Sequence, residues 1–197
     1  MLHASADRLT SAQSDLAAHL RVATADAHRS LEARLDLLRR PLDRRRFQGV
    51  LERFHGFHVT WEAAIRQRPR IAEFHAERGR LPHLRRDLSA LGLTGAEVAA
   101  LPVSEAAAEL AADEATAAGA IYVLEGSTLG GQLISRELAE AAWLPPGGLT
   151  YFDPYGARTG EMWRGFKSWL AVEAPDPART VDGARRTFQM LEGWLTR

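Results

Sequence analysis

The chain has 197 residues, 46% of them hydrophobic, with Lys plus Arg and Asp plus Glu balanced at 25 each and no Cys. This is enough apolar material for one substantial core and a single domain, while the charge balance leaves no overall field for nucleic acid or an anionic membrane. The lack of Cys excludes a disulfide framework, thiolate-bound zinc and a Cys nucleophile.

The N-terminus MLHASADRLTSAQSD has no basic start followed by an apolar run, and no stretch approaches the roughly 18 apolar residues of a membrane span. A soluble cytoplasmic protein is therefore expected. Residues 1–11 read as a flexible tail ahead of one helical domain over 12–197. The first helix is expected from about Ser11 to Arg39, where Pro41 stops it, with an apolar stripe of Leu16, Leu20, Thr24, Ala27, Leu31 and Leu35. A second, over Asp43 to Gln67, carries Phe47, Val50, Phe54, Trp61 and Ile65 on one face and ends before Pro69. Short helices follow over 70–78, 82–91 and 94–100, and Ser104 with Ala107 and Ala108 opens another. A long helix then runs to about Trp143, ahead of Pro145 and Pro146. Gly147 to Gly156 reads as a loop, and helices over 158–172 and 177–195 complete the chain. With no alternating strand pattern, repeat or linker, the fold class is all-α, a single-domain multi-helix bundle.

Gly126, Gly130 and Gly131 interrupt the long helix, and each costs roughly 1 kcal/mol relative to Ala. Something must lie close to that backbone, either a neighbouring helix or a flat ligand. Tyr122, Gly126, Gly130 and Leu133 share one face at about 100° per residue. On the first helix, counted from Leu20, His28 falls near ~80°, Arg21 near ~100° and Glu32 near ~120°. An imidazole, a cation and a carboxylate thus occupy one wedge. One nitrogen of His28 could bind a metal while Glu32, four residues on, accepts from the other and fixes the ring. Arg21 could meet an anionic group on the same ligand. The alternative is a structural or solvated His on the shoulder of the stripe.

Other constellations carry less chemistry. Glu52 and His55 form one Glu-x-x-His half-motif, and a di-iron bundle needs a second. His55 and His58 read as helix-surface or core residues, and His19, His75 and His83 as solvated. Ser127 and Ser135 have no evident His and acid partners, Glu125 reads as structural, and the Trp and Phe positions read as core. GSTLGG is neither GxGxxG nor a P-loop. The basic clusters Arg39 with Arg40, Arg44 to Arg46, Arg85 with Arg86 and Arg185 with Arg186 read as solvated faces, with docking of an acidic electron donor as the alternative for one of them.

Four segments together resemble the heme oxygenase family. RVATADAHRSLE, residues 21–32, is similar to the family's proximal helix with its Thr-x-x-x-His run. YVLEGSTLGG, residues 122–131, is similar to the glycine-rich distal helix of the bacterial, biliverdin-producing branch. TGEMWRGFKSWL, residues 159–170, and GARRTFQML, residues 183–191, are similar to two later helices. The matches keep their order over residues 16–197. The resemblance implies haem as both substrate and cofactor, held between the two diagnostic helices with its iron on His28. It implies Arg21, Tyr122 and Arg164 on the propionates, Phe188 against the macrocycle, Glu32 behind His28, and Gly126, Ser127, Gly130 and Gly131 on the distal side. The implied reaction consumes O2 and electrons from a ferredoxin, flavodoxin or reductase and yields biliverdin, carbon monoxide and ferrous iron, with a bacteriophytochrome as one acceptor of biliverdin. A monomer is the implied state. Many members carry Asp after the first distal Gly, where this chain has Ser127, so no side chain is assigned as proton donor. A haem carrier or sensor that does not degrade its ligand is the alternative within the same fold, and a non-haem relative is a further one.

Overall fold

Short polar side chains start several helices by satisfying the free N–H groups of the first turn. The computed structural model describes residues 3–38, 43–173 and 176–196, with side chains from Leu16 onward. Helix α1 spans His3–Leu35. It begins ahead of the expected Ser11 because His3 to Gln13 contains neither Gly nor Pro to interrupt it. It stops at Leu35, short of Arg39, where Asp36 takes φ 41°, a left-handed geometry that Asp tolerates. Arg39, Arg40 and Pro41, expected to form a basic cluster and a helix stop, lie outside the described residues.

Helix α2, Arg44–Ile65, starts at Asp43, whose side chain accepts from Arg46 N. Then come α3 (Pro69–His75), α4 (Leu81–Ala90) and α5 (Gly95–Ala99), the last opened by a reciprocal Thr94 and Glu97 cap. Ser104 precedes a 3-10 turn over Glu105–Ala111 rather than an α-helix, and its side chain makes no cap. Helix α6, Glu114–Leu138, begins at Asp113, which accepts from Thr116 N and Oγ1 and from Arg179. It ends short of Trp143, whose ring packs at 5.4 Å on Phe47. A short 3-10 turn over Gly156–Arg158 leads into α7 (Thr159–Glu173), and α8 (Pro177–Leu195) starts at Asp176 with Pro177 in its first turn. Among the described residues there is no strand, and no helix is long and apolar enough to cross a membrane.

The core is continuous, with Trp61, Phe47 and Phe57 of α2 and Phe166 of α7 fully buried. Helix α8 lies at the centre of the architecture because α1 and α6 both pack along it. Two glycines allow the α6 and α8 backbones to touch. A Cβ on Gly119 would sit 2.2 Å from Thr180 O, and one on Gly183 would sit 2.6 Å from Thr116 O. Helix α7 closes against both α1 and α6. The segment over 149–155 is pinned to α4, since Asp87 accepts from Thr150 N (2.9 Å), Thr150 Oγ1 (2.6 Å) and Tyr151 N (2.8 Å).

Candidate functional site

The wedge expected on α1 is present, and its imidazole is only partly engaged. His28 Nδ1 lies 3.3 Å from Glu32 Oε2, with 52% of the His28 side chain exposed. The Phe188 ring of α8 meets the imidazole edge-on, with centroids 5.8 Å apart. These two neighbours fix the tilt of the ring, while Nε2 makes no hydrogen bond or ion pair among the described residues. A half-exposed imidazole oriented by a carboxylate on one nitrogen and free on the other is the arrangement a metal ligand requires.

Helices α1 and α6 share no long interface, since each lies mainly against α8 and α7. They come near one another at Thr24 and Tyr122, with Thr24 and Arg21 close enough to act on the phenol. Burial raises the Tyr122 pKa, and Thr24 and Arg21 only partly oppose it, so this hydroxyl remains protonated and able to donate. Thr24 is itself buried and donates to Leu20 O at 2.7 Å. Four residues beyond this contact lie His28 on one helix and Gly126 on the other.

The three glycines of α6 have different surroundings. A Cβ on Gly131 would collide with Phe152 O at 2.1 Å, so this glycine accommodates a loop backbone rather than a ligand or a helix. A Cβ on Gly126 would lie 3.8 Å from the Trp163 ring, and one on Gly130 would meet nothing within 4 Å. Beside them Leu129 and Leu133 are 44% and 47% exposed. At about 100° per residue, Gly126, Leu129, Gly130 and Leu133 form one apolar face left open on a helix that is otherwise mostly buried. Gly131 is turned away from it. Ser127 is exposed beside that face, and its hydroxyl donates back to Leu124 O at 2.7 Å, leaving its oxygen lone pairs as the available function.

Two side chains at the site were not legible as such. Trp163, read as core, is half-buried at the edge of the face, with its ring 5.9 Å from Tyr122 and stacked 5.4 Å from Phe166. Leu129, which the sequence pattern does not single out, lies on the face by its rotation of about 60° from Gly126. Arg164, next to Trp163, is exposed on α7.

Behind the face lies a buried polar cluster. Glu125 accepts from Arg78, from Arg80 Nη2 (2.9 Å) and from the Tyr155 hydroxyl (2.7 Å), which makes it structural, as read from the sequence. Glu62 accepts from Arg80 N (2.6 Å) and Leu81 N (3.1 Å), and lies 3.3 Å from His58. Burial lowers the pKa of His55 and His58. These two are core residues. His75 is not the solvated residue expected, because it packs edge-on to Trp61 and burial lowers its pKa to about 4. His83 is half-buried and lowered in the same direction. Among the described residues no group of three or more His, Asp or Glu side chains could hold a metal ion. A hollow of about 610 Å³ lined by Arg34, Arg45, Arg46 and Arg53 contains no α6 or α7 residue and is separate from this site.

A family profile described as Heme oxygenase matches residues 14–197. A protein named Heme oxygenase from Xanthomonas campestris is 35% identical over 119 residues, covering 56% of this chain and 64% of its own length. The match thus spans under two thirds of that relative. Among solved structures, heme oxygenase from Leptospira interrogans superposes with a TM-score of 0.74 at 17% identity, over 92% of this chain and 98% of that one. Heme oxygenase-1 from the cyanobacterium Synechocystis, solved in complex with heme, gives 0.68 at 18% identity, over 91% and 90%. At these identities the two structures establish the fold.

Proposed function

The chain belongs to the heme oxygenase family, and from that premise we propose that it binds haem between α1 and α6 and opens the porphyrin to biliverdin, carbon monoxide and ferrous iron. One observation carries the reading. Helix α1 carries an oriented imidazole whose Nε2 makes no hydrogen bond among the described residues, and helix α6 carries an apolar, glycine-bared face left open.

Haem supplies the redox-active iron and the ring that is attacked, using O2 and electrons from an external ferredoxin, flavodoxin or reductase. The protein supplies position. His28 would hold the iron through Nε2, with Glu32 placed to accept from Nδ1–H and raise the basicity of the ring. Phe188 prevents the imidazole from turning. Gly126 and Gly130 offer bare backbone, and Leu129 and Leu133 offer apolar contact, so a flat aromatic ligand can lie close to α6 with little polar group to desolvate. Arg21 and the Tyr122 hydroxyl are placed to bind carboxylates at the ligand edge, and Arg164 is free to swing toward them. Ser127 can bind water through its lone pairs but carries no fixed negative charge, so proton delivery to the distal side would rely on backbone carbonyls, water and other side chains. The back-bonded hydroxyl of Ser127 is also the observation that favours a second reading, a haem carrier that does not degrade its ligand.

Hemin added to the purified protein should produce a Soret band. Ascorbate or a ferredoxin-type reductant in air should then convert it to the red absorption of biliverdin. A Soret band that persists under reduction selects the carrier, and no Soret band at all removes the haem reading.

A further inference from the structure

The open face of α6 is useful only if the helix is held at one rotation, and glycines at 126, 130 and 131 make this the least self-supporting part of it. We propose that Glu125 is a positioning residue that fixes the rotation of α6, and with it the direction in which the face of Gly126, Leu129, Gly130 and Leu133 opens. Its consequence for ligand binding rests on the haem reading above.

The Glu125 side chain is 3% exposed and bonded on three sides. Arg78, one of its partners, also donates to Met162 O of α7 from both terminal nitrogens at 3.3 Å, and its guanidinium lies 4.2 Å from the Phe74 ring. Arg80, the second, stacks 4.7 Å over Tyr155, and its backbone N–H is held by Glu62 of α2. Tyr155, the third, belongs to the segment that contacts Gly131 through Phe152. Burial and the Glu125 carboxylate, against the opposing charge of Arg80, hold the Tyr155 phenol above its ordinary pKa, so it remains a donor. One carboxylate therefore ties α6 to α2, α7, the segment between α3 and α4, and the segment before α7.

The placement on the helix is informative. Measured from Gly126, Glu125 lies about 100° to one side and Gly131 about 140° to the other. Two anchors on opposite flanks determine a rotation, whereas one leaves a hinge. With side chains reaching about 5 Å from the axis, a roll of roughly 10° moves Leu129 and Leu133 by about 1 Å, a displacement that matters for a preorganised site.

The test compares amide hydrogen exchange in the haem-free protein with hemin affinity. In Glu125→Gln, amides of residues 126–133 should exchange at least tenfold faster while those of α2 and α8 stay within twofold, and the hemin dissociation constant should rise at least tenfold. Tyr155→Phe, which leaves both guanidinium pairs in place, should accelerate the same amides about threefold, and it decides the question if Glu125→Gln does not fold. Acceleration by one common factor in α2, α6 and α8 would reduce Glu125 to a general stabiliser and overturn the proposal, as would unchanged exchange at 126–133. A wild-type protein that bound no hemin would instead sink the haem reading, while local exchange would still decide whether Glu125 clamps α6.

Discussion

Adjacent glycines of α6 should respond to the same substitution in opposite ways. Gly130→Ala adds a methyl group where no heavy atom lies within 4 Å, so the haem-free protein should gain helix propensity, up to about 1 kcal/mol. For a chain of this size that is a rise of roughly 2–4 °C in Tm. Gly131→Ala places its methyl 2.1 Å from Phe152 O, a backbone atom that cannot rotate away. Relieving that clash requires a main-chain shift of about 1 Å, at the upper end of the ~1–3 kcal/mol cost of overpacking. After the same propensity gain, a net loss of about 2 kcal/mol is expected. Binding should reverse the order for Gly130. Its methyl would occupy the contact layer between helix and ligand, and the same overpacking cost corresponds to a roughly 5- to 150-fold weaker hemin dissociation constant. Urea denaturation of the haem-free variants and Soret titration with hemin measure the two effects separately. A Gly130→Ala protein that is stabilised and still binds hemin like wild type would show that the open face of α6 is not where the ligand lies.

His28→Ala should abolish ring opening and alter the hemin spectrum, whereas Glu32→Ala should retain hemin and lower the iron–histidine stretching frequency, both read by resonance Raman spectroscopy; a wild-type spectrum and rate in His28→Ala removes His28 as the iron ligand. Trp163→Ala should weaken hemin binding at least fivefold and cost about 2 kcal/mol of stability, roughly half the ~3–5 kcal/mol of a fully buried Trp, since its ring is half-exposed beside Gly126; equal affinity in hemin titration would place it outside the site. Burial lowers His55, His58, His75 and His83 in the folded protein. Above about pH 6.5 these histidines are neutral folded or unfolded, and as pH falls the unfolded chain binds protons first. The urea midpoint should therefore decline from about pH 6.5 toward about pH 4, the range set by His75, and a flat profile there would contradict neutral buried histidines.

Much of the site was legible because helical periodicity is local. Arg21, His28 and Glu32 fall in one wedge by rotation alone, and α1 keeps that rotation. The conflict between helix propensity and three glycines likewise marked α6 as unusual. What each glycine accommodates was not legible, because Gly130 and Gly131 are adjacent in sequence yet one faces open space and the other a loop carbonyl. Trp163 looked like core because a tryptophan in an apolar pattern carries no sign of which edge stays exposed. His75 looked solvated because its burial comes from Trp61, on another helix.

The order of residues along the chain thus set the helices, their caps at Asp43, Asp113 and Asp176, and the one-sided grouping around His28, since each depends on neighbours within a few positions. Tertiary structure alone decided that Phe188 would brace His28, that Thr24 would meet Tyr122, and that Arg78, Arg80 and Tyr155 would converge on Glu125. Those contacts join residues far apart in the chain, and only the packing of α1 and α6 against α8 and α7 brings them together.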